Sequence, residues 1–285
     1  MSAGPPTTSL QRTYRYLRLA IGGSVVVVFT AIGVAMPSVG LLHSISQYYY
    51  SPAGPLFVAA LVAVSVCFFA LSGRGAERIL LDIAAVIVPV VAIVPTPIAP
   101  HSVPGVDAGC PNGARSCVPT GYDAIVDNGV ATYLIVGVVI GVVAGVLAWA
   151  GEVDRRATLW TMAIAAGILC IVWLTWWLAH DVFLRWAHLV AAVCFFGLIA
   201  VVAVVNAATP SSGSAPRWLR GTYIAIAVAL SGVVIAIPLY DQAHPSARHA
   251  VLVGEVVALV LFAAFWILQS IEHWRTDDPA ILARK

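Results

Sequence analysis

Ionisable side chains set within long apolar runs are the residues of this chain best placed to do chemistry. Glu255 lies in the last such run, seven residues after Arg248. In a helix the two share one face, with the carboxylate about 10 Å further along the axis. A charge in such a setting costs a few kcal/mol or more, so it is a candidate for function. Glu255 is therefore expected to carry a proton, bind a metal or contact a substrate, unless a neighbouring helix satisfies it structurally.

A second group of polar residues opens an earlier apolar run. Asp181, Arg185 and His188 fall at positions i, i+4 and i+7 of one helix start, which places an acid, a base and an imidazole on one face. The structural alternatives are a helix cap, an arginine reaching the interface and a satisfied histidine. Five histidines outside the loop 100–128 map to the same, outer side of the topology derived below: His43, His180, His188, His244 and His249.

A polar segment follows the first apolar run and reads LLHSISQYYYSPAGPLF. Its hydroxyl, amide and imidazole groups could form a lid or mouth over a pocket; an ordinary interfacial turn is the alternative. Combining this segment with the two groups above, we predict one polar pocket that opens to the outer side. Its predicted lining is His43, Ser46, Tyr48, His180, Asp181, His188, Arg248 and Glu255.

Several kinds of chemistry lack their sequence motifs. No HxxxH or HExxH pair occurs, so a zinc site would need ligands from different helices. The motifs GxSxG, GxGxxG and the P-loop are also missing. The one lysine, Lys285, lies at the C-terminus, which leaves none inside an apolar run to hold retinal or pyridoxal as a Schiff base. We expect neither a cofactor nor a bound metal.

Composition identifies the elements that must position these residues. The chain of 285 residues is 61% hydrophobic and only 10% charged, with a mean hydropathy of +0.95, whereas soluble domains are about 25% charged. Runs of about 20 apolar residues cross a bilayer, and their backbone must be paired as helix. We predict an all-α polytopic membrane protein, a single transmembrane domain over 1–285. Its eight predicted spans are 16–36, 55–73, 79–99, 130–150, 157–179, 183–207, 218–240 and 249–272.

Basic residues give the predicted orientation. With the N-terminus inside, the outer segments hold only Arg115, Arg185 and Arg248. The remaining basic residues fall in cytoplasmic segments, and this bias predicts that both termini are cytoplasmic. Those residues are Arg12, Arg15, Arg18, Arg74, Arg78, Arg155, Arg156, Arg217, Arg220, Arg275, Arg284 and Lys285.

Two further patterns concern structure. The outer loop 100–128 contains Cys110 and Cys117, whose short spacing in an oxidising compartment predicts a structural disulfide. In the fourth predicted helix, Gly137, Gly141 and Gly145 recur every four residues, which predicts close approach of a partner helix.

The sequence indicates the function less specifically than it indicates the membrane topology. A net charge of +2 is too balanced for a nucleic-acid partner. We expect a pocket protein that binds a membrane lipid or small solute, with Glu255 as its central ionisable group. The first alternative is a metal-dependent lipid hydrolase in which Glu255 acts as general base. The second is a structural or assembly subunit, which the glycine pattern of the fourth helix would suit.

Certain motifs also resemble known families. The stretch His43–Tyr50, with His188 opening a later helix and Glu255 within the last one, resembles a family of uncharacterised bacterial multi-pass inner-membrane proteins that carry an SIS-x-YY segment. The resemblance covers the first three and last three helices, and it implies a bacterial plasma-membrane location but no reaction. A fainter similarity is to membrane hydrolases that include alkaline ceramidases and progestin and adiponectin receptors, although their paired HxxxH is absent here.

Overall fold

A computed structural model describes residues 9–71, 76–110, 113–151, 155–208, 217–244 and 249–274. Their long elements are all helical, which confirms the all-α prediction for the described part of the chain. Seven of these helices are long and apolar enough to cross a membrane; α3, which begins with Glu77, Arg78 and Asp82, is not among them. The helices are α1 (Ser9–Val39), α2 (Gly54–Leu71), α3 (Ala76–Ile93), α4 (Asp123–Trp149), α5 (Arg155–Leu178), α6 (His180–Ala208), α7 (Arg217–Ala243) and α8 (Ala250–Glu272).

Six helices form a ring. In the order α1, α2, α3, α6, α7, α8 each packs on the next, and α8 packs back on α1. Helices α4 and α5 form a hairpin outside this ring, against α3 and α6. Large apolar side chains are exposed along most of α4, including Ile135, Val139 and Val143. Such exposure is what a helix facing lipid shows, because lipid tails are as apolar as these side chains.

Aromatic side chains fill the middle of the ring. Phe68 of α2 packs on Phe195 of α6, with ring centroids 6.1 Å apart, and on Trp266 of α8 at 5.4 Å. Phe262 lies among the three, 5.7 Å from Phe195. All four side chains are buried, so this cluster closes the interior of the ring at mid-length.

A proline inside α3 is accommodated by the neighbouring helices. Pro89 has no N–H to donate to the carbonyl of Ala85, four residues earlier. The hydroxyl of Ser65 on α2 donates to that carbonyl instead, at 2.7 Å. Tyr133 of α4 donates to the adjacent carbonyl of Val86 at 2.9 Å. The helix therefore continues through Pro89 to Ile93.

One end of the ring, here the disulfide end, carries the loop between α3 and α4. Cys110 and Cys117 form a disulfide with their Cα atoms 5.5 Å apart, which confirms the predicted bridge. Beside it, Ile98 and Cys117 exchange backbone hydrogen bonds of 2.9 and 3.0 Å. The loop is thus pinned close to the end of α3.

The opposite end, here the terminal end, holds the start of α1 and the finish of α8. Arg15 donates to the carbonyl of Trp274 and lies over its ring, 4.7 Å from the centroid. Tyr223 of α7 donates to Glu272 of α8 at 2.6 Å. The start of the first helix and the end of the last helix therefore lie side by side.

The glycine pattern of α4 faces a helix of the same chain. A Cβ at Gly137 would lie 2.8 Å from Leu169 of α5, and one at Gly145 would lie 3.4 Å from Met162. Gly141 has no neighbour within 4 Å of such a position. Two of the three glycines thus serve the α4–α5 hairpin.

Candidate functional site

Three polar side chains from distant parts of the chain meet near the disulfide end. The hydroxyl of Ser46 lies 2.7 Å from Oε1 of Glu255 and 2.9 Å from Nε2 of His188. Ser46 and His188 are buried. The serine thus bridges a carboxylate of α8 and an imidazole of α6.

Ser46 is held by a short 3-10 helix, η1 (Ser46–Tyr50). The hydroxyl of Ser44 accepts the N–H of Gln47 at 3.1 Å. The side chain of Gln47 reaches back and accepts the N–H of His43, also at 3.1 Å. This reciprocal pattern resembles a capping box, and it satisfies two backbone donors that the turn would leave unpaired.

Glu255 binds the same segment from the first turns of α8. Its second carboxylate oxygen accepts the N–H of Ile45. In return, Leu252 donates its N–H to the carbonyl of His43 at 3.0 Å. The segment and the start of α8 therefore satisfy each other's backbone and side-chain groups. That is a structural use of Glu255, and it also places the carboxylate beside Ser46.

His188 is oriented by the end of α3. Its Nδ1 lies 2.7 Å from the carbonyl of Val94, the residue after the last helical position. A carbonyl can only accept, so Nδ1 carries the hydrogen and Nε2 faces Ser46. The imidazole satisfies a carbonyl that the helix end leaves unpaired.

The donors and acceptors of this network fix how many protons it holds. If Glu255 is protonated, it donates to Ser46, and Ser46 donates to neutral His188. If Glu255 is ionised, Ser46 donates to it and protonated His188 donates to Ser46. Both arrangements contain the same number of protons and leave no atom of the three contacts unsatisfied. All three contacts are therefore satisfied when Glu255 and His188 hold one such proton between them, on either residue.

Tyrosines fix the rest of the segment. Tyr48, fully buried, donates to the carbonyl of Gly40 at 2.9 Å. Tyr50 donates to the carbonyl of Thr96 at 2.9 Å. Burial, with Tyr49 and Tyr122 beside it, raises the pKa of Tyr50, so its hydroxyl stays a donor. The segment 43–50, which was predicted as a lid, is thus inserted into the end of the ring and anchored there by hydrogen bonds. It is called the plug below.

A cavity of about 200 Å³ lies beneath this plug, inside the ring. Its polar end is formed by Ser44, Ser46, Thr96, His188 and Glu255. Its walls are mostly apolar side chains of all six ring helices, with Ser24 of α1 among them, and Phe195 and Phe262 of the aromatic cluster form its floor. Among the described residues no arginine or lysine lines it. The cavity therefore offers hydrogen bonds at one end and hydrocarbon contact elsewhere.

The structure brings three of the eight predicted pocket residues together: Ser46, His188 and Glu255. His43 and Tyr48 do not line the cavity but hold the plug, His43 through its backbone and through a ring stacked 5.9 Å from that of His249. Arg248 lies outside the described residues.

The remaining two predicted residues lie away from the cavity. His180 and Asp181, at the start of α6, are close enough to Asp123 of α4 to interact with it electrostatically. Asp181 is exposed. These residues belong to the junction of α6 with the outer hairpin.

Sequence reasoning missed two contributors to the site. The carbonyl of Val94 orients His188, but every residue carries a carbonyl, so no residue type signals it. Gln47 stabilises η1, and here a signal existed: the spacing Ser44-x-x-Gln47 is that of a capping box.

The described residues contain no group of three or more histidine, cysteine, aspartate or glutamate side chains arranged to hold a metal. Comparison with protein-family models, curated proteins and solved structures found no match for this chain. The site must therefore be interpreted from its own geometry.

Proposed function

We propose that this protein binds a membrane amphiphile, a small lipid-like molecule with one polar end, inside the six-helix ring. The observation that carries the proposal is the cavity, which joins apolar walls to one polar end formed by Ser46, His188 and Glu255. A ligand head group would hydrogen-bond at that end, and its apolar body would lie toward the aromatic cluster. Ionisable groups at such a depth are rare and often mark a binding site, and here both of them line the cavity.

We further propose eight membrane spans with both termini in the cytoplasm. The contact of Arg15 with Trp274 supports an even number of crossings, because it places the start of α1 beside the end of α8. The disulfide of the α3–α4 loop favours an oxidising compartment for that end. The proposed location is the plasma membrane of a bacterium, as the SIS-x-YY resemblance implies.

Native mass spectrometry of the purified protein tests ligand binding. Wild type is expected to carry a bound lipid-sized molecule. Ala258→Phe, on the cavity wall, should lose it because the new ring fills the cavity. Val260→Phe is the matched control, since Val260 is exposed on the same helix and does not line the cavity. Equal occupancy in all three proteins, or none in wild type, would contradict the proposal.

One observation favours a second candidate, hydrolysis or transfer of a lipid acyl group. Ser46 lies within hydrogen-bond distance of His188, and the carbonyl of Val94 orients that imidazole, which is the nucleophile–base arrangement of acyl transfer. Ser46 would attack an ester carbonyl while its proton moves to Nε2 of His188. The departing alcohol would take that proton, and water would then release the acyl group.

A fluorophosphonate probe distinguishes this candidate. Covalent labelling of wild type at Ser46, lost in His188→Ala, would support a nucleophilic serine. Absence of labelling in a protein that still carries ligand would leave binding as the function. The metal-dependent hydrolase gains no support from the described residues, because no metal-binding group is found among them.

A further inference from the structure

The cavity has one exposed edge. Of the residues that line it, Leu189 and Val193 of α6 are exposed, at 39% and 37% of their surface. The lining residues on α1, α2 and α3 include Val25, Phe57 and Val88, all of them buried. The side of the cavity toward α6 is therefore its open side.

Helix α7 forms the other edge of this opening. Val233, Val234, Ile237 and Pro238 line the cavity and are partly exposed. The opposite flank of α7 is closed, because Gly254 lets Ile237 pack directly on α8: a Cβ at Gly254 would lie 2.4 Å from that side chain. The gap thus lies between α6 and α7.

The depth of the opening and the side chains at its rim indicate which solvent the opening faces. Leu189 and Val193 follow His188 in sequence and lie about 14 to 20 Å along α6 from its start at the disulfide end. The rim side chains are all apolar. An opening at this depth with such a rim faces hydrocarbon and not water.

Near this rim, one backbone carbonyl of α7 lacks its usual helical donor. Pro238 has no N–H, so the carbonyl of Val234 lacks the donor that a helix normally supplies. Val234 and Pro238 both line the cavity. That carbonyl is an acceptor for a ligand hydroxyl that passes between α6 and α7.

We infer that the opening between α6 and α7 is a lateral window through which the ligand enters from the bilayer, and that the ligand is a single-chain lipid with an uncharged head bearing hydroxyl or amide groups. This inference rests on the proposed function. The proposed orientation makes the adjoining leaflet the outer one.

The polar end selects the head group. Ser44, Ser46, Thr96, His188 and Glu255 supply hydrogen-bond donors and acceptors. An ionised phosphate or carboxylate head would meet Glu255 with no described cation to offset its charge, and burying an unpaired charge is costly. A hydroxyl or amide head can donate and accept without that cost.

Photo-crosslinking in vesicles tests the window. The protein is reconstituted in phosphatidylcholine with a monoacylglycerol that carries a diazirine on its chain, and the labelled peptides are mapped after irradiation. Wild type should be labelled at the cavity wall. Val193→Trp and Leu189→Trp, which narrow the window, should lower the rate of labelling several-fold. Val190→Trp is the control, because Val190 is exposed on α6 and does not line the cavity.

The possible results test the lateral window, the head-group assignment and the proposed function separately. Equal rates in Val193→Trp, Leu189→Trp and Val190→Trp, with the cavity still labelled, would overturn the window and leave ligand binding standing. A lysophosphatidic acid with the same photoreactive chain should label the cavity less than the monoacylglycerol; stronger labelling would overturn the head-group assignment. Free glycerol should not compete, and competition would indicate entry from water. No cavity labelling by either lipid in wild type would overturn the proposed function itself.

Discussion

The hydrogen bonds around Glu255 allow an amide to replace its carboxylate. In Glu255→Gln the side-chain oxygen can accept from Ile45 and the side-chain NH₂ can donate to Ser46, which then donates to neutral His188. We expect Glu255→Gln to keep its free energy of unfolding within about 1 kcal/mol of wild type, whereas Glu255→Ala should lose about 3 kcal/mol. Unfolding in mixed micelles, followed by circular dichroism, measures both. If the two variants lost stability equally, the network would need a negative charge.

Ser46 is predicted to be the most sensitive member of the network. Its removal in Ser46→Ala deprives Oε1 of Glu255 and Nε2 of His188 of the hydroxyl that bridges them, which should cost about 2–4 kcal/mol of unfolding free energy. Ser24 is the matched control, because it is also buried and lines the cavity, but its hydroxyl donates to its own helix at Ile21. Ser24→Ala should cost less than about 1 kcal/mol. Similar losses in the two variants would mean that Ser46 contributes only an ordinary hydrogen bond.

The sequence predicted Glu255 and His188 because ionisable groups in apolar runs are conspicuous. It also identified Ser46, through the polar segment that contains it. The relation between the three depends on the position of η1, which no periodicity indicates, because a turn of this kind is set by tertiary contacts. His180 and Asp181 share a helix start with His188, yet they contact the outer hairpin and not the cavity.

At the scale of one helix, α3 depends on its neighbour for a backbone partner. Ser65→Ala should cost about 1–3 kcal/mol, because the carbonyl of Ala85 then has no donor. In a Pro89→Ala background the helix supplies that donor, so the same substitution should cost less than about 1 kcal/mol. A double-mutant cycle in mixed micelles measures the coupling. An equal cost in both backgrounds would show that Ser65 stabilises α3 by packing alone.

The start of α2 is fixed by a glycine. A Cβ at Gly54 would lie 2.1 Å from the carbonyl oxygen of Tyr49, a backbone atom that cannot move aside cheaply. Gly54→Ala should cost at least about 2 kcal/mol and displace η1. Gly33→Ala, on an exposed face of α1 with nothing within 4 Å, should be neutral or stabilising by about 0.5–1 kcal/mol. Thermal unfolding in detergent compares them, and equal melting temperatures would contradict this account.

At this scale the positions of the helices along the chain agree with the prediction better than their ends do: the first span was predicted over 16–36 and is observed as Ser9–Val39. The last span was predicted over 249–272 and is observed as Ala250–Glu272. Hydropathy succeeds there because only helices satisfy their backbone within hydrocarbon. Helix neighbours could not be predicted in the same way. In α2, for example, apolar side chains cover every face, so exposed Val66 and buried Val64 look alike in the sequence.

At the scale of the whole molecule, the ring and the hairpin divide the chain in two. The six ring helices enclose the cavity and contain Ser46, His188 and Glu255. The site therefore needs the ring, and the hairpin is an addition on its outer face.

For the whole molecule, the orientation in the membrane depends on whether α3 crosses the bilayer. If α3 crosses the membrane, the α2–α3 junction is cytoplasmic and the disulfide loop is outside, where Cys110 and Cys117 can oxidise. Alkaline phosphatase, active only outside the cytoplasm, should then be inactive when fused between α2 and α3 and active when fused in the disulfide loop. A green fluorescent protein at the C-terminus should fluoresce. The same phosphatase result at both fusion sites, active or inactive, would mean that α3 does not cross, and it would leave the number of crossings odd, against the contact of Arg15 with Trp274.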